Sequence, residues 1–350
     1  PRRLPTMLNR AVVGSAFPRR QNGGRKPAYQ RLLVRLLLVL MLLVFVGPGV
    51  AWSASAASCS AGAAKLPSAQ AQAYRGVEVK DDLGRTFRFD ASPRRIVSLS
   101  PAYTETLFAL GAGDRVVGVD DYSDYPPQAA SRAKVGGGHS ASLERIVTLE
   151  PDLVVALVEE QEIDALVAKG IPALKLFPRD FAGVLQTILL LGQVTRTEAR
   201  AQEIVTDMKQ RIARVEARIR GLRPPRVFLE LDGTDPTRPF TSGPHSFIGA
   251  MIQTAGGWNI GHEIRTPSSQ MSLEAIVAED PEIIVLLDTT NPLNPQSRED
   301  VLRRQGWSGI SALRKGAVFS VDSALFSRPS PRFVEGIEIL ARLLHPEAFP

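Results

Sequence analysis

The sequence predicts an α/β fold: two lobes, each with a mainly parallel sheet flanked by helices, joined by one long helix, with a ligand cleft between the lobes. Three observations lead there. One stretch occurs twice, as SLERIVTLEPDLVVAL over residues 142–157 and as SLEAIVAEDPEIIVLL over residues 272–287. Short apolar runs rich in β-branched residues follow helical patterns in both halves, which is how strands covered on two faces read. Between the halves, Ile204, Met208, Ile212, Val215 and Ile219 recur at spacings of four, four, three and four, the stripe of a helix of about six turns.

Each copy of the repeat reads as a short helix, a turn and a buried strand. Ser142 and Ser272 are placed to cap the helices, because a serine oxygen accepts from the free amides of a first turn. Leu143, Ile146 and Val147 fall on one helical face, and Leu273, Ile276 and Val277 match them. Pro151 and Pro281 close the helices, since proline cannot continue the ladder. A unit repeated this far apart argues for two similar lobes rather than a short-period solenoid.

Charge is unevenly distributed. The formal net charge is +6, but residues 1–64 hold nine arginines and lysines and no acid, so subtracting nine leaves −3 for the remainder. The basic balance belongs to a leader, and the folded part carries no nucleic-acid footprint. Within the leader a basic region precedes an uninterrupted apolar run of eleven residues, 36–46. That is the length of a signal-peptide core and short for a membrane span; a single anchor helix is the alternative. Ala54-Ser55-Ala56 offers a cleavage site. Residues 1–59 are therefore expected to be an export leader, and the protein to be periplasmic or tethered outside the inner membrane. Cys59 is the single cysteine, which excludes an internal disulfide and a cysteine metal cluster. It follows small residues, so it is also a candidate lipid anchor. Residues 60–76, rich in Ala, Ser and Gln, read as a tether.

The N-terminal lobe is expected over residues 77–180. Residues 77–89 alternate around Asp82-Leu83-Gly84-Arg85, a hairpin pattern. Residues 96–99 form the first core strand, Ser100-Pro101-Ala102-Tyr103 its exit loop, and 104–110 a helix stopped by Gly111-Ala112-Gly113. A strand at 116–119 leads to a polar, aromatic loop at 120–127; the first repeat and a strand at 171–177 follow. The connector, 181–224, holds a helix at 181–191, the capping-box pattern Thr195-Arg196-Thr197-Glu198 and the long helix, ended by Gly221 and Pro224-Pro225. The C-terminal lobe, 225–350, repeats the scheme: strand 227–231, loop 240–244, helix 247–254, the second repeat, strand 317–321, loop 326–331 and helix 333–344.

Enzyme signatures are thin. There is no phosphate loop and no Gly-x-Ser-x-Gly elbow, and Gly111-Ala112-Gly113 has Val116 where a dinucleotide fingerprint needs glycine. A metal-ion receptor would have to gather His139, His245 and His262; an extracytoplasmic hydrolase would have to pair Ser100 with His139. No catalysis is expected. The loops at the carboxyl ends of strands remain, where ligands of open α/β sheets bind. There Tyr103, Tyr122, Tyr125, Phe240 and Phe326 supply flat apolar faces, and Arg328 and Arg332 supply charge. Such a cleft fits a large, partly planar ligand better than a bare ion.

Over residues 77–345 the layout resembles the periplasmic substrate-binding proteins of ABC importers that have a helical connector, the group that includes vitamin B12 and ferric-siderophore binders. The resemblance rests on Ile96-Val97-Ser98-Leu99-Ser100-Pro101 with Thr104-Glu105, Tyr122-Ser123-Asp124-Tyr125-Pro126-Pro127, Leu143-Glu144-Arg145-Ile146 through Pro151-Asp152-Leu153-Val154, Pro239-Phe240-Thr241-Ser242-Gly243 and Ser330-Pro331-Arg332. The second and fourth of these look most like the B12-binding branch. That resemblance implies capture of a corrinoid for a membrane permease, with a ferric siderophore or haem as the alternative cargo. It implies a monomer with no cofactor of its own. Tyr122 would stack on the ligand, and Pro101 and Arg328 would line the cleft. Ser100, Tyr103, His139, Phe240 and Phe326 complete the candidate ligand contacts. Glu144 and Glu274 would dock onto permease arginines; the plainer reading is a first-turn acid favoured by the helix dipole. The chain departs from the B12-binding branch at Gly138, Leu157 and Ser268, where that branch has tryptophans, and at Ala324, where it has an acid and this chain has Asp322 nearby.

Overall fold

The computed structural model describes residues 76–137, 141–157, 163–287, 289 and 295–350. The expected export leader, Cys59, most of the tether, Gly138 and His139 lie outside the described residues.

A hairpin of β1 (Val77–Lys80) and β2 (Thr86–Phe89) precedes the first sheet. That sheet contains β3 (Ile96–Ser98), β4 (Val116–Val119), β5 (Ala133–Lys134), β6 (Leu153–Leu157) and β7 (Ala173–Leu176), in the order β5-β4-β3-β6-β7. Every pairing in it is parallel. Helices α1 (Pro101–Ala109), α2 (Pro127–Ala130), α3 (Leu143–Thr148) and α4 (Asp164–Ala168) connect its strands. Two longer helices follow, α5 (Phe181–Thr195) and α6 (Glu198–Ile219). The second sheet has β8 (Arg226–Asp232), β9 (Phe240–Ser242), β10 (Trp258–Asn259), β11 (Ser268–Gln270), β12 (Ile283–Leu286) and β13 (Val318–Ser320). Its order is β11-β9-β8-β12-β13, with β10 also on β8. Around it lie α7 (Phe247–Thr254), α8 (Leu273–Glu279), α9 (Arg298–Arg303), α10 (Ser311–Lys315), α11 (Ala324–Ser327) and α12 (Phe333–Leu344).

Three local expectations need correction. Residues 240–244, read as a loop, begin as strand β9, antiparallel to β8 and β11. Thr241 turns inward there and donates to the Leu229 carbonyl, so a turn-rich sequence still completes an edge. The exit loop after β3 is shorter than expected because Pro101 opens α1, where its fixed φ suits the first turn and its missing N–H costs nothing. The capping box at Thr195–Glu198 does not form. Helix α5 runs through Thr195, whose hydroxyl donates to Leu191 O, and Arg196 then breaks the chain in a left-handed conformation (φ 55°).

The two repeat copies fold alike. Ser142 Oγ accepts from Arg145 N and Ser272 Oγ from Ala275 N, as their positions predict. Only Ile146 and Ile276 of each apolar face are fully buried; Val147 and Val277 are 40% and 42% exposed. The prolines do not end the helices themselves. Each helix ends in a left-handed acid just before its proline, Glu150 (φ 46°) and Asp280 (φ 43°).

A matched clamp then ties each helix end to the neighbouring strand. Arg95 Nε donates to the carbonyls of Leu149 and Glu150, and Arg226 Nε to those of Glu279 and Asp280. A guanidinium thus satisfies the orphan carbonyls where the helix dipole is negative. Two residues beyond each left-handed acid, Asp152 accepts from the Arg94 and Arg95 amides and Glu282 from the Arg226 amide. The clamp sets the strand register, Ile96 opposite Leu153 in one lobe and Val227 opposite Ile283 in the other.

Helix α6 buries Ala201, Ile204, Val205, Met208, Ile212 and Val215. These belong to a hydrophobic cluster that runs without interruption from β3 and β6 through α5 and α6 to β8, β12 and α12. Arg211 fixes the far side with two bonds to Glu338 of α12, at 2.9 and 2.7 Å. The lobes therefore share this cluster, and each has a further cluster of its own, around Ile146 and Val154 in the first lobe and around Ile276 and Trp307 in the second.

The clamp predicts a pH signature. Hydrogen bonds from Arg223 hold the Glu282 carboxyl down to about 2, against the opposing pull of partial burial. The stability this supplies is fully present above the ordinary carboxylate value and is lost as pH falls toward 2. Urea denaturation at pH 7 and pH 3 should show Glu282→Gln less stable than the parent at pH 7, with the gap narrowing at pH 3. A gap that is constant or widens would contradict the clamp.

Candidate functional site

The two lobes face each other across a cavity of about 840 Å³, within the usual range for small-molecule sites. Its first-lobe wall includes Ser100, Pro101, Tyr122, Leu157, Phe177 and Arg179. Its second-lobe wall includes Leu231, Ser242, His245, Phe247 and Arg265. Phe326, Ser327, Arg328 and Pro329 close one end. Most of these residues follow strand carboxyl ends or open helices, where the topology of an open sheet leaves a crevice.

Tyr122 is 64% exposed, the most exposed of the large apolar side chains among the described residues. Its loop is rigid all the same. Asp120 accepts from the Tyr122 and Ser123 amides at 3.0 and 2.6 Å, and burial pushes the Asp120 carboxyl above its usual value. Ser123 Oγ shares a 2.8 Å bond with buried Thr104, which donates in turn to Ser98. Lys134 Nζ ties the carbonyls of Asp120 and Ser123 together. Gly137 packs against the Cδ2–Cε2 side of the Tyr122 ring, where an added Cβ would come to 3.0 Å of it. The ring is held on that side and otherwise largely exposed.

Arg328 lines the cavity and also locks the lobes. It donates to Glu105 Oε1 at 3.0 Å and to Asp124 Oδ1 at 2.6 Å, both in the first lobe. Glu105, on α1, is 4% exposed. It also accepts from Ser330 Oγ at 2.6 Å and from Arg332 at 3.5 Å. Hydrogen bonding to Arg328 holds the Asp124 carboxyl below its ordinary value. Nearby, the Arg332 guanidinium stacks 3.7 Å from the Tyr125 ring centroid. An aromatic chain, Phe181 to Phe333 to Phe247 with centroids 5.5 and 5.1 Å apart, joins α5, α12 and α7 beside the cavity.

The structure thus places Ser100, Pro101, Tyr122, Phe326 and Arg328 at one cavity. Others fall elsewhere. Tyr103 is a core residue, fully buried with its hydroxyl donating to Leu176 O; as the third residue of α1 it points into the sheet. Phe240 is 40% exposed on β9 and lies outside the cavity lining, two residues outward from Ser242. Tyr125 and Arg332 stack on each other in a neighbouring depression. Leu157 and Ser268, the positions where the B12-binding branch has tryptophans, both line the cavity. Sequence reasoning missed Asp120, Glu105 and the positioning hydroxyls, because their value lies in long-range contacts. It also missed Arg179 and Arg265. Among the described residues, no three His, Cys, Asp or Glu are grouped to hold a metal, and no helix is long and apolar enough to cross a membrane. Glu144 and Glu274 are exposed in the first turns of α3 and α8. The Glu274 carboxyl is held below its usual value by its own backbone amide and then by Ser272.

Two α/β lobes bridged by a common hydrophobic cluster, with a cleft between them and a helical link, have the layout of a solute-binding class. The profile of the periplasmic binding protein family matches residues 96–325, and the chain belongs to that family. It is 32% identical over 266 residues to a cobalamin-binding protein of Halobacterium salinarum, covering 73% of this chain and 70% of that one. It is 31% identical over 282 residues to an uncharacterized ABC transporter substrate-binding lipoprotein of Bacillus subtilis, covering 78% of this chain and 87% of that one. Among solved structures it is similar to a periplasmic haem-binding protein of Roseiflexus, with a TM-score of 0.65 at 26% identity, over 73% of this chain and 99% of that one.

The latch predicts a coupled loss. Glu105→Ala leaves two arginines facing a buried void, and removing one partner of a buried pair costs about 3 kcal/mol. Urea denaturation should report a loss of that order, whereas Asp124→Ala, at the exposed end, should cost under about 1 kcal/mol. Equal losses would contradict the assignment of Glu105 as the central partner.

Proposed function

We propose that this protein is the substrate-binding component of an ABC importer, which captures a corrinoid outside the inner membrane and hands it to a membrane permease. The observation that carries this is the inter-lobe cavity with the exposed ring of Tyr122 on one wall and Leu157, Phe177, Leu231 and Phe247 around it. A planar ring stacked on tyrosine gains on the order of 1 kcal/mol beyond its burial. The cobalamin-binding relative of Halobacterium supports the ligand, and the ABC transporter substrate-binding relative of Bacillus supports the transport role. The metal in such a ligand is cargo, and the protein needs no cofactor of its own. A tether ending in Cys59 accords with the lipoprotein relative, and a monomer is the expected working form.

Haem or a ferric siderophore is the second reading. It is favoured by Arg179 and Arg265 on the cavity wall, which suit an anionic chelate better than a neutral one. The missing tryptophans at Leu157 and Ser268 also leave a less aromatic cage than the B12-binding branch has.

For the permease we assign Glu144 and Glu274. Each helix start presents the acid together with an exposed valine three residues on, Val147 or Val277. An acid beside a small apolar contact makes a rim element that steers association and sets register more than it adds affinity. One experiment tests both halves of the proposal. Calorimetric titration with cyanocobalamin should show Tyr122→Ala binding about tenfold more weakly with apo stability unchanged, a loss of about 1.4 kcal/mol. Reversing Glu144 and Glu274 together to lysine should leave that titration intact and abolish uptake in cells. Uptake at the normal rate in the double variant would return the two acids to a purely helix-capping role.

A further inference from the structure

The second-lobe wall carries a polar feature that ring stacking leaves unused. Ser242 is 1% exposed and lines the cavity, and its Oγ has no hydrogen-bond partner. Buried hydroxyls are rarely left unpaired in native structures, and each exception asks for a reason. Donors lie close to Ser242 along the chain. Helix α7 starts four residues on, and Ser246 Oγ accepts from Gly249 N. Among the described residues the Phe247 and Ile248 amides are left without a partner, and both residues line the cavity.

Close backbone approaches build this corner. An added Cβ at Gly249 would sit 2.2 Å from the Gly243 carbonyl oxygen, so the first turn of α7 rests directly on the turn that follows Ser242. An added Cβ at Gly243 would sit 2.3 Å from the Thr266 carbonyl oxygen, which keeps the 265–267 loop against the same turn. That loop brings Arg265 to the wall, and Arg265 has no carboxylate partner among the described residues. None of the described residues lining the cavity is an Asp or a Glu.

We propose that Ser242, the Phe247 and Ile248 amides and Arg265 form an anion subsite, which takes a phosphate or carboxylate substituent of the bound metal chelate. The inference rests on the metal-chelate reading above and adds the part of the ligand that fixes its orientation. Helix-start amides point at an anion and the dipole favours its charge. Arg265 adds a charge-assisted bond, and Ser242 gains the acceptor it lacks in the free protein.

The test uses the whole exported chain free of ligand. Inorganic phosphate and, separately, acetate are titrated while the backbone amide resonances of Phe247 and Ile248 are followed. Saturable shifts are expected, weakened at least fivefold in Ser242→Ala and in Arg265→Gln. Resonances that do not move, or move identically in both variants, overturn the subsite; Arg265 is exposed, so its variant keeps the test valid if Ser242→Ala misfolds. A second arm compares cyanocobalamin, which has a phosphodiester, with dicyanocobinamide, which has none, and haemin with its dimethyl ester. The anionic member of the pair that binds should bind about tenfold tighter, and Ser242→Ala should remove that advantage. Equal affinities within that pair overturn the proposal. If no chelate binds while Phe247 and Ile248 still respond to phosphate, the metal-chelate reading falls and the anion subsite stands.

Discussion

The cavity depends on one buried carboxylate. Glu105 lies in the first lobe at 4% exposure, and a charge there is tolerable only if cations meet it. Those cations, Arg328 and Arg332, come from the second lobe, with Ser330 Oγ completing the set. The spacing of the lobes is thereby fixed from one end, and the shared core through α5, α6 and α12 fixes it from below. The residues of the latch are also residues of the wall: Arg328 touches Glu105 on one side and the cavity on the other. Cleft width and inter-lobe electrostatics are therefore the same variable in this molecule. A ligand that recruits Arg328 must compete with two carboxylates, whereas one that uses Tyr122, Ser242 or Arg265 need not.

The internal repeat explains how two lobes of different sequence came to the same geometry. The likeness goes deeper than helix-turn-strand. In both copies a serine caps the helix, a left-handed acid ends it, an arginine at the start of the core strand holds the last carbonyls, and a second acid accepts from that arginine's amide. These are local solutions to unsatisfied backbone groups, so they survive when the surrounding loops diverge. What diverged is the cleft edge. The second lobe added the antiparallel strands β9 and β11, and with them the corner where Ser242 and α7 meet.

Much of this was legible in the chain. Helices α7 and α12 begin and end where their apolar periodicity and flanking Gly, Ser and Pro place them, and the repeat located β6 and β12. Ser100, Pro101, Tyr122, Phe326 and Arg328 could be named because they sit in loops after strands or before helices. Tyr103 could not be told from them by position. It is two residues beyond Pro101, and only the start of α1 at that proline turns its ring into the core. Val147 and Val277 looked like core residues because period alone does not say how wide the buried stripe is on a helix of six or seven residues. Glu105 entered only as half of the family-like Thr104-Glu105 pair, and its role and that of Asp120 gave no signal, since their partners lie across the fold or follow from a turn that no motif announces.

The most direct measurement of the central claim is the visible absorption of the protein recovered from cells. The exported protein, produced in cells supplied with cyanocobalamin and passed through gel filtration, should elute as a monomer carrying the corrinoid band at about one ligand per chain, and Tyr122→Ala should carry much less. A colourless parent protein under those conditions, or one that takes up the band equally well without Tyr122, would contradict the assignment of the inter-lobe cavity as a corrinoid site.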